Sequence, residues 1–388
     1  MIILDKPYIS EFLLNTLQAN AIPVINNAGD EAVTSSKNLS FLTTEQAINN
    51  ISQDGNCMLY TNSENSISWI EKNLQHTGLP KKIKLFKNKI LFRNMLRDLY
   101  PLYFYKGVNF ESIENLDIKD FPFPFIIKPA VGFFSLGVYK VETPGDWMET
   151  VGTIKREIEL IKNLYPPDVL NTGEFIIEEC ICGDEFAIDC YFNEAGKPVI
   201  LNIMKHIFSS GKDVNDRVYI TSKEIIQTFR NPITSFLSEI GKRADLRNFP
   251  AHVEVRIDDN GIVAPIEVNP LRFGGWCSTP DLAWHAFGIN LYEYLFRQQE
   301  PDWNSILENK DGFIYSNIVL NNSTGIEGRN IISFNYEKLL SDFENPLELR
   351  KADYAKFPLF GFLFCETRKQ NMQELERILM SDLNEYVV

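Results

Sequence analysis

Two glutamates and an asparagine in the second half of the chain have the types and spacing of a site for a hard cation. The stretch Ala251-His252-Val253-Glu254-Val255-Arg256-Ile257 alternates apolar and polar residues, and Ile262 to Asn269 alternates again beyond Asn260-Gly261. Such alternation on both sides of an Asn-Gly pair predicts a β-hairpin closed by a two-residue type I′ turn. That turn would set Glu254 directly opposite Glu267, and His252 opposite Asn269. Like charges facing each other across a ladder are destabilising, so the pair would either keep a proton or recruit a cation. Carboxylate and amide oxygens suit Mg²⁺ or Mn²⁺ rather than zinc. A solvated polar face, with Glu254 paired to Arg256, accounts for the same spacing without a metal. A turn at Asp259-Asn260 would oppose Glu254 to Pro265 and still leave both glutamates on one face.

A second group of residues has the types that bind phosphate. Two apolar runs, starting at Pro124 and ending at Glu142, flank a loop from Gly132 to Gly137 that contains Ser135. Glycines and a serine let backbone N–H groups approach phosphate oxygens, and Lys128, on the strand entering the loop, would place a cation beside them. The same residues can also form an ordinary tight turn. Neither a Walker A sequence nor a Gly-x-Gly-x-x-Gly after a strand is present, so a P-loop or dinucleotide-binding reading is not supported.

The elements that position these groups follow from periodicity. Residues 1–86 alternate short strands (Ile2–Leu4, Met58–Tyr60) with helices from Ser10 and from Glu64 to Leu74, which predicts a small α/β domain. A helix beginning near Lys89 carries Ile90, Leu91, Met95, Leu96 and Leu99 and stops before Pro101. After the 124–142 hairpin, Asp146 and Glu149 have the form of a capping box. Trp147, Val151, Ile154, Ile158 and Ile161 then form one apolar stripe. Strands at Glu174–Ile181, Glu185–Phe192 and Pro198–Lys205 predict a mostly antiparallel sheet, with Cys180 and Cys182 on one strand face. Helices are expected at Ser222–Phe229 and Ile233–Ala244, strands at Phe313–Leu320 and Pro358–Phe364, and a closing helix from Asn371. The domain boundaries expected are 1–86, 87–181, 182–300 and 301–388.

Composition narrows the function classes. The 388 residues exceed the usual size of one hydrophobic core, and 44% hydrophobic with 23% charged residues describes a folded globular chain. A net charge of −14 with no Lys/Arg run would repel a phosphate backbone, so no nucleic-acid partner is expected. No segment approaches the roughly 18 apolar residues of a membrane span, and no signal peptide is evident, so a cytoplasmic location without a membrane partner is expected. Six scattered cysteines with only four histidines read as reduced thiols.

The order of these motifs resembles the ATP-grasp superfamily, specifically its carboxylate-amine or carboxylate-thiol ligases, over roughly residues 85–300. The fold implied is α+β with α/β parts: a small N-terminal α/β domain, two α+β subdomains that clasp ATP, and a C-terminal strand-helix extension. Lys89 in Asn88-Lys89-Ile-Leu-Phe-Arg93 and Lys128 in Ile-Ile-Lys128-Pro-Ala look like the family's two nucleotide lysines. Gly132, Ser135 and Gly137 belong to a stretch similar to its mobile phosphate loop. Ile177-Glu178-Glu179-Cys180-Ile181 resembles the hinge strand. The backbone around Glu179 to Ile181 would there meet adenine, and Glu185 would hold the ribose hydroxyls. Glu254, Glu267 and Asn269 match the Mg²⁺ ligands. Arg272 would stabilise the acyl phosphate and, with Lys128, is a catalytic candidate. The family's usual Glu-x-Asn-x-Arg spacing is lengthened here by Leu271, which sets Arg272 five residues after Glu267.

The resemblance implies ATP and Mg²⁺ (or Mn²⁺) as cofactors, with a small carboxylate and an amine as substrates; a homodimer is compatible with it. The expected reaction joins the two as an amide, releasing ADP and phosphate. Lys205, His206, Arg217, Trp276 and His285 are candidates for substrate recognition, the cations for carboxylates and the aromatic for an apolar group. A non-catalytic ATP-sensing module, phosphoryl transfer to another acceptor, and carboxylation are the alternatives.

Overall fold

Three sheets organise the chain, and the strand-forming runs predicted above supply most of their strands. The coordinates, a computed structural model, describe residues 1–27, 29, 38–53, 57–132, 137–161, 171–210 and 216–388. Ser135 lies outside the described residues, as do the side chains of residues 159–161, Ile161 included. By contact density the chain separates into two compact units. One comprises Met1–Ser63, Asp184–Pro265 and Leu271–Val388, the other Glu64–Gly183 and Ile266–Pro270.

In the first unit, β1 (Ile2–Leu4) pairs in parallel with β2 (Val24–Asn26) on one side and β3 (Tyr60–Thr61) on the other. The helix Glu11–Ala19 starts where the Ser10 side chain accepts the Leu13 N–H, and it buries Leu13, Leu14 and Leu17.

The second unit is built on a four-stranded sheet. Strands β4 (Tyr105–Asn109), β5 (Phe125–Val131), β6 (Tyr139–Val141) and β7 (Asn171–Glu179) lie in the order β4-β7-β5-β6, and every pairing is antiparallel. The expected hairpin is therefore β5–β6. The apolar side of the sheet carries Phe125 and Ile127 of β5, Val141 of β6 and Phe175 and Ile177 of β7, on which Trp147, Val151, Ile154 and Ile158 of the helix Trp147–Ile161 pack. The helix entry differs from the expectation. Asp146 is the third residue of the capping box rather than its first, because its carboxylate accepts from the Thr143 N–H at 2.8 Å. The expected strand through Cys180 and Cys182 also ends early, at Glu179, so the two thiols do not share a strand face.

The first unit also contains the eight-stranded sheet. It comprises β8 (Asp184–Phe192), β9 (Pro198–Ile207), β10 (Val218–Thr221), β11 (Phe249–Ile257), β12 (Val263–Pro270), β13 (Phe313–Asn321), β14 (Pro346–Lys351) and β15 (Leu359–Arg368). The order is β12-β11-β8-β9-β10-β13-β15-β14, and residues Ile266–Pro270 of β12 group with the second unit. One continuous helix, Lys223–Arg243, replaces the two expected around Pro232. Ile225, Ile226, Ile233, Phe236, Leu237 and Ile240 keep one buried face through the proline, and that packing on β9 outweighs the single donor that Pro232 removes.

The β11–β12 turn is also corrected. Asp258 N–H donates to Ile262 O at 3.2 Å and Gly261 N–H to Asp258 O at 2.9 Å, closing a three-residue loop, Asp259-Asn260-Gly261. Of the Asn-Gly pair only Gly261 takes a left-handed φ, 78°, whereas a type I′ turn needs both residues there. At the base of the hairpin Leu271 N–H donates to Pro250 O at 2.8 Å. Between these two closures β12 advances nine residues where β11 advances eight, so one extra residue is accommodated along β12.

Candidate functional site

In the second unit the site starts at a helix N-terminus. Asn88 caps the helix Lys89–Met95, its side chain accepting the Ile90 and Leu91 N–H groups, and this fixes the direction in which Lys89 leaves the backbone. Lys89 Nζ lies 3.4 Å from Gly132 O and 3.4 Å from Glu267 Oε2. Asn269 Nδ2 donates to Glu267 Oε1 at 3.0 Å. Burial alone would raise the Glu267 pKa, but the charges of Lys89 and Lys87 and the Asn269 hydrogen bond hold it at about 2, so the carboxylate is ionised at neutral pH. Two residues expected to bind metal and one expected to bind phosphate are thus assembled in one cluster.

One turn after Lys89 on the same helix, Arg93 donates through Nε to Glu178 Oε2 at 2.8 Å, and Lys128 pairs with the other Glu178 oxygen. All three side chains are buried, with Glu178 only 3% exposed. Burial opposes ionisation of Glu178, yet Arg93 and Lys128 bring its pKa down to about 2. Burial also lowers the Lys128 pKa; Glu178 opposes that shift and the positive Lys89 and Arg93 add to it. An anion arriving beside Lys128 would relieve this repulsion, so the cations fit a phosphate chain. Glu178, expected among the nucleotide-binding residues of the hinge strand, is the buried partner of both Arg93 and Lys128.

The Glu179 backbone is likewise engaged within its own unit. Its N–H donates to Phe104 O at 3.1 Å, its carbonyl accepts from the Tyr103 hydroxyl at 3.3 Å, and Cys180 N–H donates to Pro124 O at 3.4 Å. Within the Glu179 to Ile181 stretch expected to meet adenine, the Glu179 N–H is thus paired to Phe104, and Cys180 and Ile181 follow the end of the strand. Gly137 takes φ 74°, and a Cβ there would meet the Pro129 ring at 3.2 Å, which explains the glycine at the loop's exit.

In the first unit Glu254 is partly exposed, on β11. His252 Nε2 lies 3.7 Å from its Oε1, and His252 Nδ1 lies 2.7 Å from Asp189 Oδ1. Fully buried Asp189 also accepts the Gly274 N–H at 3.0 Å, tying β8 to the loop that carries Arg272. Arg272 is half-buried and donates to Phe273 O at 2.9 Å. Glu185, the ribose candidate, accepts Arg256 Nε and Nη2, each at 3.1 Å, and faces His206 Nδ1 at 3.2 Å. Burial works against ionisation of Glu185, but the His206 hydrogen bond and the Arg256 charge lower its pKa overall.

The substrate candidates separate. Lys205 pairs with Asp184 at 2.6 Å, and His206 is buried in a stack with Tyr219 at 4.3 Å. Buried Arg217 donates to Ile378 O, Ser381 O and Ser323 Oγ, so it joins the C-terminal helix to the sheet rather than serving a substrate. His285 pairs with Glu348 at 2.8 Å. Trp276 lines a cavity with Tyr8, Arg350, Phe357 and Phe362.

Among the described residues no three His, Cys, Asp or Glu side chains cluster closely enough to hold a metal ion. The candidate set Glu254, Glu267 and Asn269 contains only two residues of those types, both glutamates, and its hard oxygen donors suit Mg²⁺. Sequence reasoning missed the roles of Arg93, Asp189 and Arg350. Only Arg93 had a local signal, since it lies four residues after Lys89 and therefore on the same helix face.

Residues 121–280 match the family model described as ATP-grasp domain. That match covers part of the chain, and the chain has the ATP-grasp fold. An L-amino acid ligase from Bacillus licheniformis has a similar structure: TM-score 0.67 at 16% identity, covering 100% of this chain and 97% of that one. A biotin carboxylase from Campylobacter jejuni gives 0.65 at 12% identity, covering 100% and 91%. N5-carboxyaminoimidazole ribonucleotide synthetase from Thermotoga maritima gives 0.63 at 13% identity, covering 100% and 98%. Curated proteins give no sequence match. No helix of the described residues is long and apolar enough to cross a membrane.

Proposed function

We propose that the protein is an ATP-dependent ligase that activates a small carboxylate as an acyl phosphate and condenses it with an amine. The observation that carries this reading is the cluster Lys89–Glu267–Asn269 together with buried Lys128. It combines cations for a phosphate chain with an ionised carboxylate for a hard metal ion. Lys89 and Lys128 bind phosphate oxygens, with Arg93 and Glu178 holding Lys128 in place. Glu254, Glu267 and Asn269 hold Mg²⁺, which when bound supplies charge neutralisation on the phosphates. Glu185, fixed by Arg256, takes the ribose hydroxyls. Arg272 stabilises negative charge on the activated acid. No side chain is required as a covalent nucleophile.

Adenine binding alone needs neither an ionised Glu267 nor an arginine beyond it, so these residues favour a catalyst over a sensing module. The test is incubation of the protein with Mg²⁺-ATP and pooled acids and amines, measuring ADP release and identifying condensed products by mass spectrometry. Substrate-dependent ADP with an amide product is expected, and Glu267→Ala should abolish it while leaving the circular dichroism spectrum unchanged. Bound ATP with no substrate-dependent ADP in any pool, or full activity in Glu267→Ala, would contradict the assignment.

A further inference from the structure

The loop after β12 carries Arg272, and ties within the first unit hold it in a backbone conformation that L-residues rarely adopt. Leu271, Trp276 and Cys277 take φ 61°, 56° and 56°. Non-glycine residues stay in that left-handed region only where surrounding contacts over-determine them. At the root of the loop Leu271, the residue that lengthens the spacing from Glu267 to Arg272, donates its N–H to Pro250 O at 2.8 Å, and its carbonyl accepts the Thr61 N–H at 2.7 Å. At the far end Arg350, paired with Asp281, donates to Trp276 O at 3.1 Å.

The central tie bears on Arg272 itself. Arg272 Nη1 donates to Phe273 O at 2.9 Å, and the N–H of that same peptide group, on Gly274, donates to Asp189 Oδ1 at 3.0 Å. A trans peptide is planar, with its C=O and N–H pointing in opposite directions, so fixing the N–H also fixes the carbonyl that Arg272 holds. A carboxylate that accepts the N–H polarises the peptide and makes its oxygen a stronger acceptor.

Asp189 is built in for this bond. It is fully buried on β8 opposite His252 of β11, whose Nδ1 lies 2.7 Å from the same Oδ1. Both groups converge on that oxygen, while Oδ2 has no hydrogen-bond partner among the described residues. A buried carboxylate oxygen without a partner is costly, and an apolar side chain would avoid the cost if packing were its only task. Thr279 Oγ1 accepts the Gly274 N–H from another side at 2.9 Å, and a Cβ at position 274 would collide with the Thr279 side chain.

We infer that Asp189 is a positioning residue for Arg272, acting through the Phe273–Gly274 peptide group with His252 and Thr279 in support. The inference rests on the ligase reading above, in which Arg272 meets the charge of the activated acid. Weakening the bond from Gly274 to Asp189 therefore lowers turnover through Arg272 and leaves nucleotide affinity unchanged.

Phenylglyoxal labelling of the full chain without substrates, followed by peptide mass mapping, reads the tie directly. Asp189→Asn keeps the shape and an acceptor oxygen but loses the charge, and Asp189→Leu loses both. Arg272 should label about threefold faster in Asp189→Asn and about tenfold faster in Asp189→Leu, with exposed Arg329 unchanged. Thr279→Val, a milder change at the same N–H, should fall between wild type and Asp189→Leu, and it carries the test if the buried substitutions do not fold. In turnover with Mg²⁺-ATP and the pooled acids and amines, Asp189→Asn should lower kcat about tenfold at matched folded protein, with the KM for ATP within about twofold. The same change in an Arg272→Ala background should cost less than about twofold more, because the two residues act as one unit. Unchanged Arg272 labelling, full turnover in Asp189→Asn, a KM for ATP that rises as kcat falls, or losses that multiply in the double variant would each overturn the proposal. Faster Arg272 labelling in the variants with no substrate-dependent ADP in the wild type would instead refute the ligase reading.

Discussion

Glu178→Gln tests the electrostatics beneath the phosphate-binding cations. Glu178 is buried between Arg93 and Lys128, and its carboxyl pKa is held at about 2 against the ordinary 4.5. A shift of that size corresponds to about 3 kcal/mol of stabilisation of the charged form. Removing one member of a buried ionic group costs a similar amount, about 3–5 kcal/mol, because the remaining charges lose their partner. A depressed pKa in the folded state contributes stability that is fully present above the unfolded value of 4.5 and disappears as pH falls through 4.5 towards 2. At pH 7 the variant should lower the urea midpoint of the second unit by roughly 1–5 M, for a denaturant slope of about 1–3 kcal/mol per molar. Trp69 and Trp147 fluorescence reports that unit, since both lie within Glu64–Gly183. Near pH 3 the difference from wild type should narrow. An unchanged midpoint at pH 7, or a difference that stays constant as pH falls, would refute the reasoning.

Four further substitutions address other parts of the account. Lys89→Met should raise the KM for ATP at least tenfold with little change in thermal melting; an unchanged KM would remove Lys89 from the nucleotide. Asn88→Ala deletes the cap on the Ile90 and Leu91 N–H groups, so it should cost about 1 kcal/mol in urea unfolding and also raise the KM for ATP by misdirecting Lys89. Arg217→Met should cost about 2–4 kcal/mol through the lost bonds to Ile378, Ser381 and Ser323, without altering any KM at matched folded protein. Gly137→Ala forces a Cβ into a left-handed position against Pro129 and should cost about 1–2 kcal/mol, seen as a lowered urea midpoint.

Local patterns in the sequence were good guides where the residues interact with near neighbours. The apolar stripe Trp147-Val151-Ile154-Ile158, the β5–β6 hairpin and the strands β8 and β9 follow from periodicity. Lys89 and Lys128 stand out through their motifs. Decisions that depend on distant packing were not legible. The helix Lys223–Arg243 runs through Pro232 because its buried face is continuous, a property that a breaker rule cannot register. The Asn-Gly turn took a three-residue form, since register also answers to the Leu271–Pro250 bond at the far end of the hairpin. Glu178 and Arg217 read as ligand-binding residues because their partners, Arg93 and the C-terminal helix, lie 85 and 161 residues away. Arg350 gave no signal at all: its cavity is assembled from segments near residues 8, 276 and 357.

The central claim is transfer of a phosphoryl group to a carboxylate oxygen. Carboxylic acids labelled with ¹⁸O, supplied in pools with Mg²⁺-ATP and amines, test it by mass analysis of the phosphate released. An acyl phosphate requires one ¹⁸O in each phosphate, appearing in step with ADP and abolished in Glu267→Ala. Unlabelled phosphate, or ADP released at the same rate without any acid, would contradict it.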